Sequence, residues 1–141
     1  MKRFFMLLIG LTALAGCGGS GGVSAPAGST ITLNPSALTI TDAVDQWHTT
    51  FFDIIVKNAD GQPMGDAKVT ISFQWAVPDP QAFVQLYDGD TKKNSPFDAK
   101  TDDFGIYHLR FDYRTGYKYN GDLEARSGAT LGKATITVST Q

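Results

Sequence analysis

A chain of 141 residues suits one domain, and 12 basic against 14 acidic residues leave a formal net charge of −2. That balance excludes the strongly basic surface that nucleic acid demands. Fifteen glycines, nine phenylalanines and one glutamate (Glu124) beside thirteen aspartates favour strands and turns over helices, because glutamate suits helix interiors and aspartate suits turns and caps.

At the N-terminus, Lys2 and Arg3 precede an apolar run from Phe4 to Ala15, and small residues follow. This is the charged, apolar, small order of an export signal. The run is shorter than the ~20 residues that cross a bilayer. The one cysteine, Cys17, stands directly after Leu14-Ala15-Gly16. Leu-Ala-Gly-Cys at this position resembles the bacterial lipoprotein box. The resemblance implies a diacylglycerol thioether on Cys17, removal of residues 1–16, and acylation of the new amino group. Gly18, not aspartate, follows the cysteine, which by the same resemblance implies the outer membrane of a Gram-negative cell. One acyl chain holds a protein marginally and two or more hold it stably, so the resemblance makes the membrane, through a lipid anchor, the first expected partner. Without Lys2 and Arg3 the chain keeps 10 basic and 14 acidic residues and no second cysteine. Such a domain rests on its core and not on disulfides.

Residues 18–29, GGSGGVSAPAGS, read as a flexible tether by composition. The expected division is therefore 1–16 signal, 17–29 acylated cysteine and tether, and 30–141 folded domain. From Thr30 onward apolar residues alternate with polar ones. The alternating stretches are TITL, ALTIT, FFDIIVK, KVTISFQW, AFVQLY, IYHLRFDY and KATITVS. In them Phe52, Ile54 and Val56 share a face, as do Val69, Ile71, Phe73 and Trp75, and Tyr107, Leu109, Phe111 and Tyr113. A period of two marks half-buried strands, and the clusters between them, such as NADGQPMGD and DGDTKKNSP, read as turns. About seven strands with one apolar face each bury those faces only against a second sheet, so the pattern predicts an all-β, antiparallel sandwich.

Two stretches carry a further resemblance: VKNADGQPMGDAKVTISF (56–73) and AKTDDFGIYHLRF (99–111). A strand, a Gly-x-Pro turn, a small turn at Gly65, an alternating strand and a later Thr-Asp-x-x-Gly turn resemble the bacterial immunoglobulin-like domains of the invasin and intimin type. The same stretches also resemble the carboxypeptidase regulatory-like, transthyretin-like sandwich, with Asp66 inserted between the usual glycine and alanine. The first resemblance implies an immunoglobulin-like sandwich over roughly residues 30–138, and a spacer, adhesion or assembly role. In both, the structural positions are Gly61, Pro63, Gly65, Asp103, Gly105 and Tyr107. Gly61 and Gly105 are expected at backbone angles closed to other residues. Pro63 stiffens its turn. Tyr107 is assigned a tyrosine-corner role, its hydroxyl bonding back to the preceding loop.

No catalytic or metal constellation emerges. For a calcium loop starting at Asp88 of DGDTKKN, Lys92, Lys93 and, beyond that stretch, Ala99 stand where an oxygen ligand, glycine and glutamate are needed. Asp98, Asp102 and Asp103 read as turn caps. His48 and His108 have no zinc-type spacing, and no serine lies in a nucleophile-elbow sequence. The chain is read as a non-enzyme without cofactor or metal. The candidate contact surface is Trp47, Tyr113, Arg114, Tyr117 and Tyr119, since tyrosine, tryptophan and arginine dominate binding hot spots. The competing reading packs Tyr113 into the core, lays Tyr117 and Tyr119 over its rim, and has Trp47 cap the sandwich. An open sheet edge is expected at the C-terminal strand, around Lys133–Ser139. The expected function is an anchored, non-catalytic protein–protein or structural module of an envelope assembly. The alternative is a surface adhesion or carbohydrate-binding module, its partner a glycan.

Overall fold

The computed structural model describes residues 21–75 and 79–141; the export signal and Cys17 lie outside the described residues. Ten strands occur among them: β1 (Thr30–Asn34), β2 (Ala37–Thr41), β3 (Trp47–Lys57), β4 (Lys68–Trp75), β5 (Val84–Asp88), β6 (Thr91–Lys93), β7 (Phe97–Lys100), β8 (Ile106–Arg114), β9 (Tyr119–Ser127) and β10 (Thr130–Ser139). They form two five-stranded sheets, ordered β1-β3-β8-β5-β6 and β2-β10-β9-β4-β7. Pairing is antiparallel except between β2 and β10. This is an immunoglobulin-like β-sandwich, whose first strand divides between the two sheets. The division falls at Pro35, which has no N–H to continue the β1 ladder.

The alternating residues meet between the sheets. Phe52, Ile54 and Val56 of β3, Val69 and Ile71 of β4, and Leu109 and Phe111 of β8 are fully buried. Phe52 and Phe111 pack edge to face, with centroids 5.3 Å apart, the arrangement the ring quadrupoles favour.

Three strands exceed the expected number. β6 falls within DGDTKKNSP, the stretch read as a turn, β7 follows directly on it, and β9 occupies YNGDLEARS, where charges hide the alternation. β9 is central, paired to both β4 and β10. Its Leu123 and Ala125 are fully buried, while Glu124 turns outward to Lys133 at 2.6 Å. Gly121 lets β4 come close: a Cβ there would stand 2.6 Å from the Gln74 carbonyl oxygen.

Two further expectations are corrected. The C-terminal strand β10 is no edge, because β2 lies along its outer side from Thr135 to Ser139. The tether ends sooner than composition suggests. The Val23 N–H donates to the Asp66 carbonyl, and the Lys68 N–H donates to the Val23 carbonyl, both at 2.9 Å. Ala25 is buried, and its N–H donates to Ser127 Oγ at 2.9 Å. Main-chain bonds and one small apolar residue hold residues 23–29 on the domain, forces that composition does not register.

The motif turns lock together. Thr101, 5 % exposed, donates its hydroxyl to the Met64 carbonyl at 2.6 Å and accepts the Ala67 N–H at 2.9 Å. The Thr-Asp-x-x-Gly turn is thereby bolted to the turn around Gly65. Gly105 has φ +74°, and a Cβ there would lie 2.7 Å from the Val56 carbonyl. Gly61 has φ +76° with open space around it, and Pro63 forms an isolated bridge to Lys57. Gly65 keeps an ordinary φ and abuts the Asp103 backbone; the left-handed residue is its neighbour Asp66, φ +56°. The capping carboxylate is Asp102, not Asp103: its Oδ1 accepts the N–H groups of Phe104 and Ile106. Asp98 caps no turn; it takes the Thr70 hydroxyl at 2.7 Å and the Lys68 ammonium at 2.8 Å.

Tyr107 is not the tyrosine corner, since its hydroxyl donates to the Asp88 carboxylate at 2.9 Å. That arrangement belongs to Tyr119, at the start of β9, whose hydroxyl donates to the Arg114 carbonyl five residues upstream at 2.6 Å.

Candidate functional site

The loop joining β2 to β3 and the loop joining β8 to β9 meet at one end of the sandwich, and Thr115 holds them together. It is fully buried; its hydroxyl donates to the Val44 carbonyl at 2.6 Å and its N–H to the Gln46 carbonyl at 2.9 Å. Gly116, φ +82°, permits the contact, because a Cβ there would lie 2.7 Å from the Asp45 Cα. On this frame Asp45 takes two hydrogen bonds from Arg114, at 2.6 and 2.8 Å, and a third from the Tyr117 hydroxyl at 3.2 Å. The Arg114 guanidinium lies 5.0 Å over the Tyr117 ring. Its hydrogen bonds hold the Asp45 carboxyl below the usual range, and the carboxylate in turn raises the Arg114 pKa. Asp42 is lowered chiefly by the Val44 N–H it accepts.

Of the five candidate contact residues, three are brought together at the surface. Trp47 is 44 % exposed and stands opposite Arg114 in the β3–β8 register, with Tyr117 beyond it. Tyr113 and Tyr119 are buried and leave the surface set. Tyr113 stacks on His48, with centroids 5.3 Å apart. Tyr119 packs between Trp75 and Phe83, and burial pushes its phenol up to about 12.

The same sheet face carries residues the sequence reading passed over. Phe51, 60 % exposed, stands opposite Arg110, which in turn lies 4.5 Å from the Tyr87 ring centroid. Arg110 donates twice to Asp112, at 3.0 and 2.9 Å, and the Thr49 hydroxyl donates to Asp112 at 2.8 Å. The signal for Phe51 was available: if Phe52 points inward, Phe51 points out. Arg110 and Tyr87 carry no such signal, because only the pairing of β5 with β8 brings them together.

The face is thus aromatic, and each arginine is already forked onto a carboxylate. It can bind by apolar contact and planar stacking. His108 meets Asp53 at 2.6 Å on open surface. Among the described residues no group of three His, Cys, Asp or Glu could hold a metal, and no helix is long and apolar enough to cross a membrane. Two shallow hollows, of about 190 and 270 Å³, lie on the other sheet, away from these aromatics.

No protein-family model and no curated protein matches the chain. Solved structures do resemble it. A conjugative transposon lipoprotein from Bacteroides eggerthii aligns with TM-score 0.51 and 10 % identity, covering 80 % of this chain and 98 % of that one. SSP-19, an MSP-domain protein of Caenorhabditis elegans, aligns at 0.48 and 11 %, covering 77 % and 99 %. A PapD-like domain of human CEP192 aligns at 0.46 and 9 %, covering 97 % of each chain. At 10 % identity the likeness to the conjugative transposon lipoprotein, with its TM-score of 0.51, shows a shared fold alone.

Proposed function

We propose that this chain is an exported lipoprotein, acylated at Cys17, whose immunoglobulin-like domain serves as a non-catalytic protein-interaction module of an envelope assembly. The observation that carries the interaction role is the exposed Trp47–Phe51–Tyr117 group, on the outer face of β3 and the adjoining β8–β9 loop, with its arginines paired to carboxylates. The likeness to a lipoprotein of a conjugative transposon supports the envelope setting. The Cys17 box supports the anchor, and Gly18 after it supports the outer membrane of a Gram-negative cell. Spacer and assembly roles of the invasin-type domains are compatible with this reading. Only residues 18–22 separate the acylated cysteine from docked Val23, so the domain stands within about 20 Å of its anchor.

The test is crosslinking of the tagged, full-length protein in native membranes, followed by mass spectrometry, with Cys17→Ser as control. A stoichiometric partner, lost together with membrane association in Cys17→Ser, supports the proposal. A wild-type protein found outside the membrane fraction refutes the anchor. A second reading, glycan binding, draws on the same exposed rings; retention by soluble glycans that Trp47→Ala abolishes would favour it.

A further inference from the structure

We infer that the outer edge of β3 at Trp47–Phe51 receives an extended segment of a partner protein, which joins the sheet as an additional strand. The inference rests on the interaction role proposed above. It begins with the ladder. The Val56 N–H donates to Gly105, and the Thr115 N–H donates to the Gln46 carbonyl. In the β3–β8 register the even-numbered residues of β3 therefore bond towards β8. The odd-numbered ones face the other way. Asp53, Ile55 and Lys57 face β1, which ends at Asn34 opposite Asp53. Thr49 and Phe51 carry the same orientation past the end of β1, and no other strand among the described residues pairs with them.

The flanking chemistry specifies the occupant. Trp47 and Phe51 border this edge on the outer face. On the inner side lies β2, one strand further out than β10. Its Leu38 and Ile40 pack on the core yet stay half-buried. An incoming strand thus meets apolar side chains on both faces. No Lys, Arg, Asp or Glu occurs from Pro35 to Thr41 or from Trp47 to Phe52, so the edge lacks the lysines that usually guard one. The fitting partner is an uncharged segment of about five residues, apolar on both faces, running antiparallel to β3 in line with β1. A second copy of this chain does not fit. Its own β2 would project beside its β3 and meet the first β2 in the space of a single strand.

The experiment places a photo-crosslinking p-benzoylphenylalanine at Phe51 of the full-length protein in native membranes. Thr49→Pro removes an outward N–H without touching the β3–β8 ladder. Thr49→Val removes only the hydroxyl that bonds Asp112. Thr39→Pro blocks the edge of β2. The expected result is a discrete protein adduct that falls about tenfold in Thr49→Pro and persists in Thr49→Val and Thr39→Pro. Should Thr49→Pro fail to fold, Phe51→Lys with the probe moved to Trp47 is expected to lose the adduct likewise. An adduct that survives both Thr49→Pro and Phe51→Lys overturns the inference. If probes at Phe51 and Trp47 stay silent while one at Tyr117 captures a partner, the strand site is refuted and the interaction role survives. Silence at all three refutes both.

Discussion

Replacing Tyr119 with phenylalanine isolates one hydroxyl. The ring stays packed between Trp75 and Phe83, at centroid distances of 5.4 and 5.3 Å, so no cavity forms. The 2.6 Å bond to the Arg114 carbonyl and the weaker 3.4 Å contact to the Phe83 carbonyl are lost. A net hydrogen bond contributes about 1 kcal/mol, and an inward-facing carbonyl left without its partner adds about 1 more. The expected loss is therefore about 2 kcal/mol, or roughly 8 °C in Tm for a domain of this size. Tyr107→Phe is the internal control. Its hydroxyl meets Asp88, whose side chain is 48 % exposed, and water replaces the phenol there. That variant is expected to lose less than about 1 kcal/mol. Thermal and urea unfolding of both, followed by circular dichroism, decide the matter. Equal losses, or a larger loss for Tyr107→Phe, would refute the assignment of the corner to Tyr119.

Gly105→Ala forces a Cβ to 2.7 Å from the Val56 carbonyl at φ +74°, whereas Gly61→Ala meets open space at φ +76°. Urea midpoints should show a loss of about 3 kcal/mol for the first and about 1 for the second. A chain starting at Thr30 forfeits the Val23 main-chain bonds and the Ala25 bond to Ser127; it should lose about 2–3 kcal/mol against a chain starting at Gly21, measured by the same unfolding. Tyr119 titrates near 12 when folded and near 10 when unfolded. The unfolded chain therefore holds fewer protons over that range, and stability falls as pH rises from about 10 to about 12; Tyr119→Phe should flatten that decline. Asp42, Asp45 and Asp98 lie below the usual 3.8, so their contribution is present above that pH and is lost as pH falls beneath it. Asp45→Asn should shift the acid transition, followed by tryptophan fluorescence.

Alternation along the chain determined the sandwich and most of its interior. A strand with one buried face writes its period of two into the residues themselves, so Phe52, Ile54, Leu109 and Phe111 could be assigned inward from their neighbours alone. Gly61 and Gly105 were legible for a similar reason, since a left-handed turn selects for glycine locally. Pairing decided the rest. β9 reads as polar until β4 and β10 flank it. The tyrosine corner went to Tyr119 because that role depends on which carbonyl lies within reach of a hydroxyl, a distance no spacing encodes. The same holds for the docking of Val23 and for the joining of Tyr87, Arg110 and Asp112 across two strands. Whether a strand lies at an edge is a property of its neighbours: β10 reads like an edge and is covered by β2, while β3 reads like a core strand and is bare from Trp47 to Phe51.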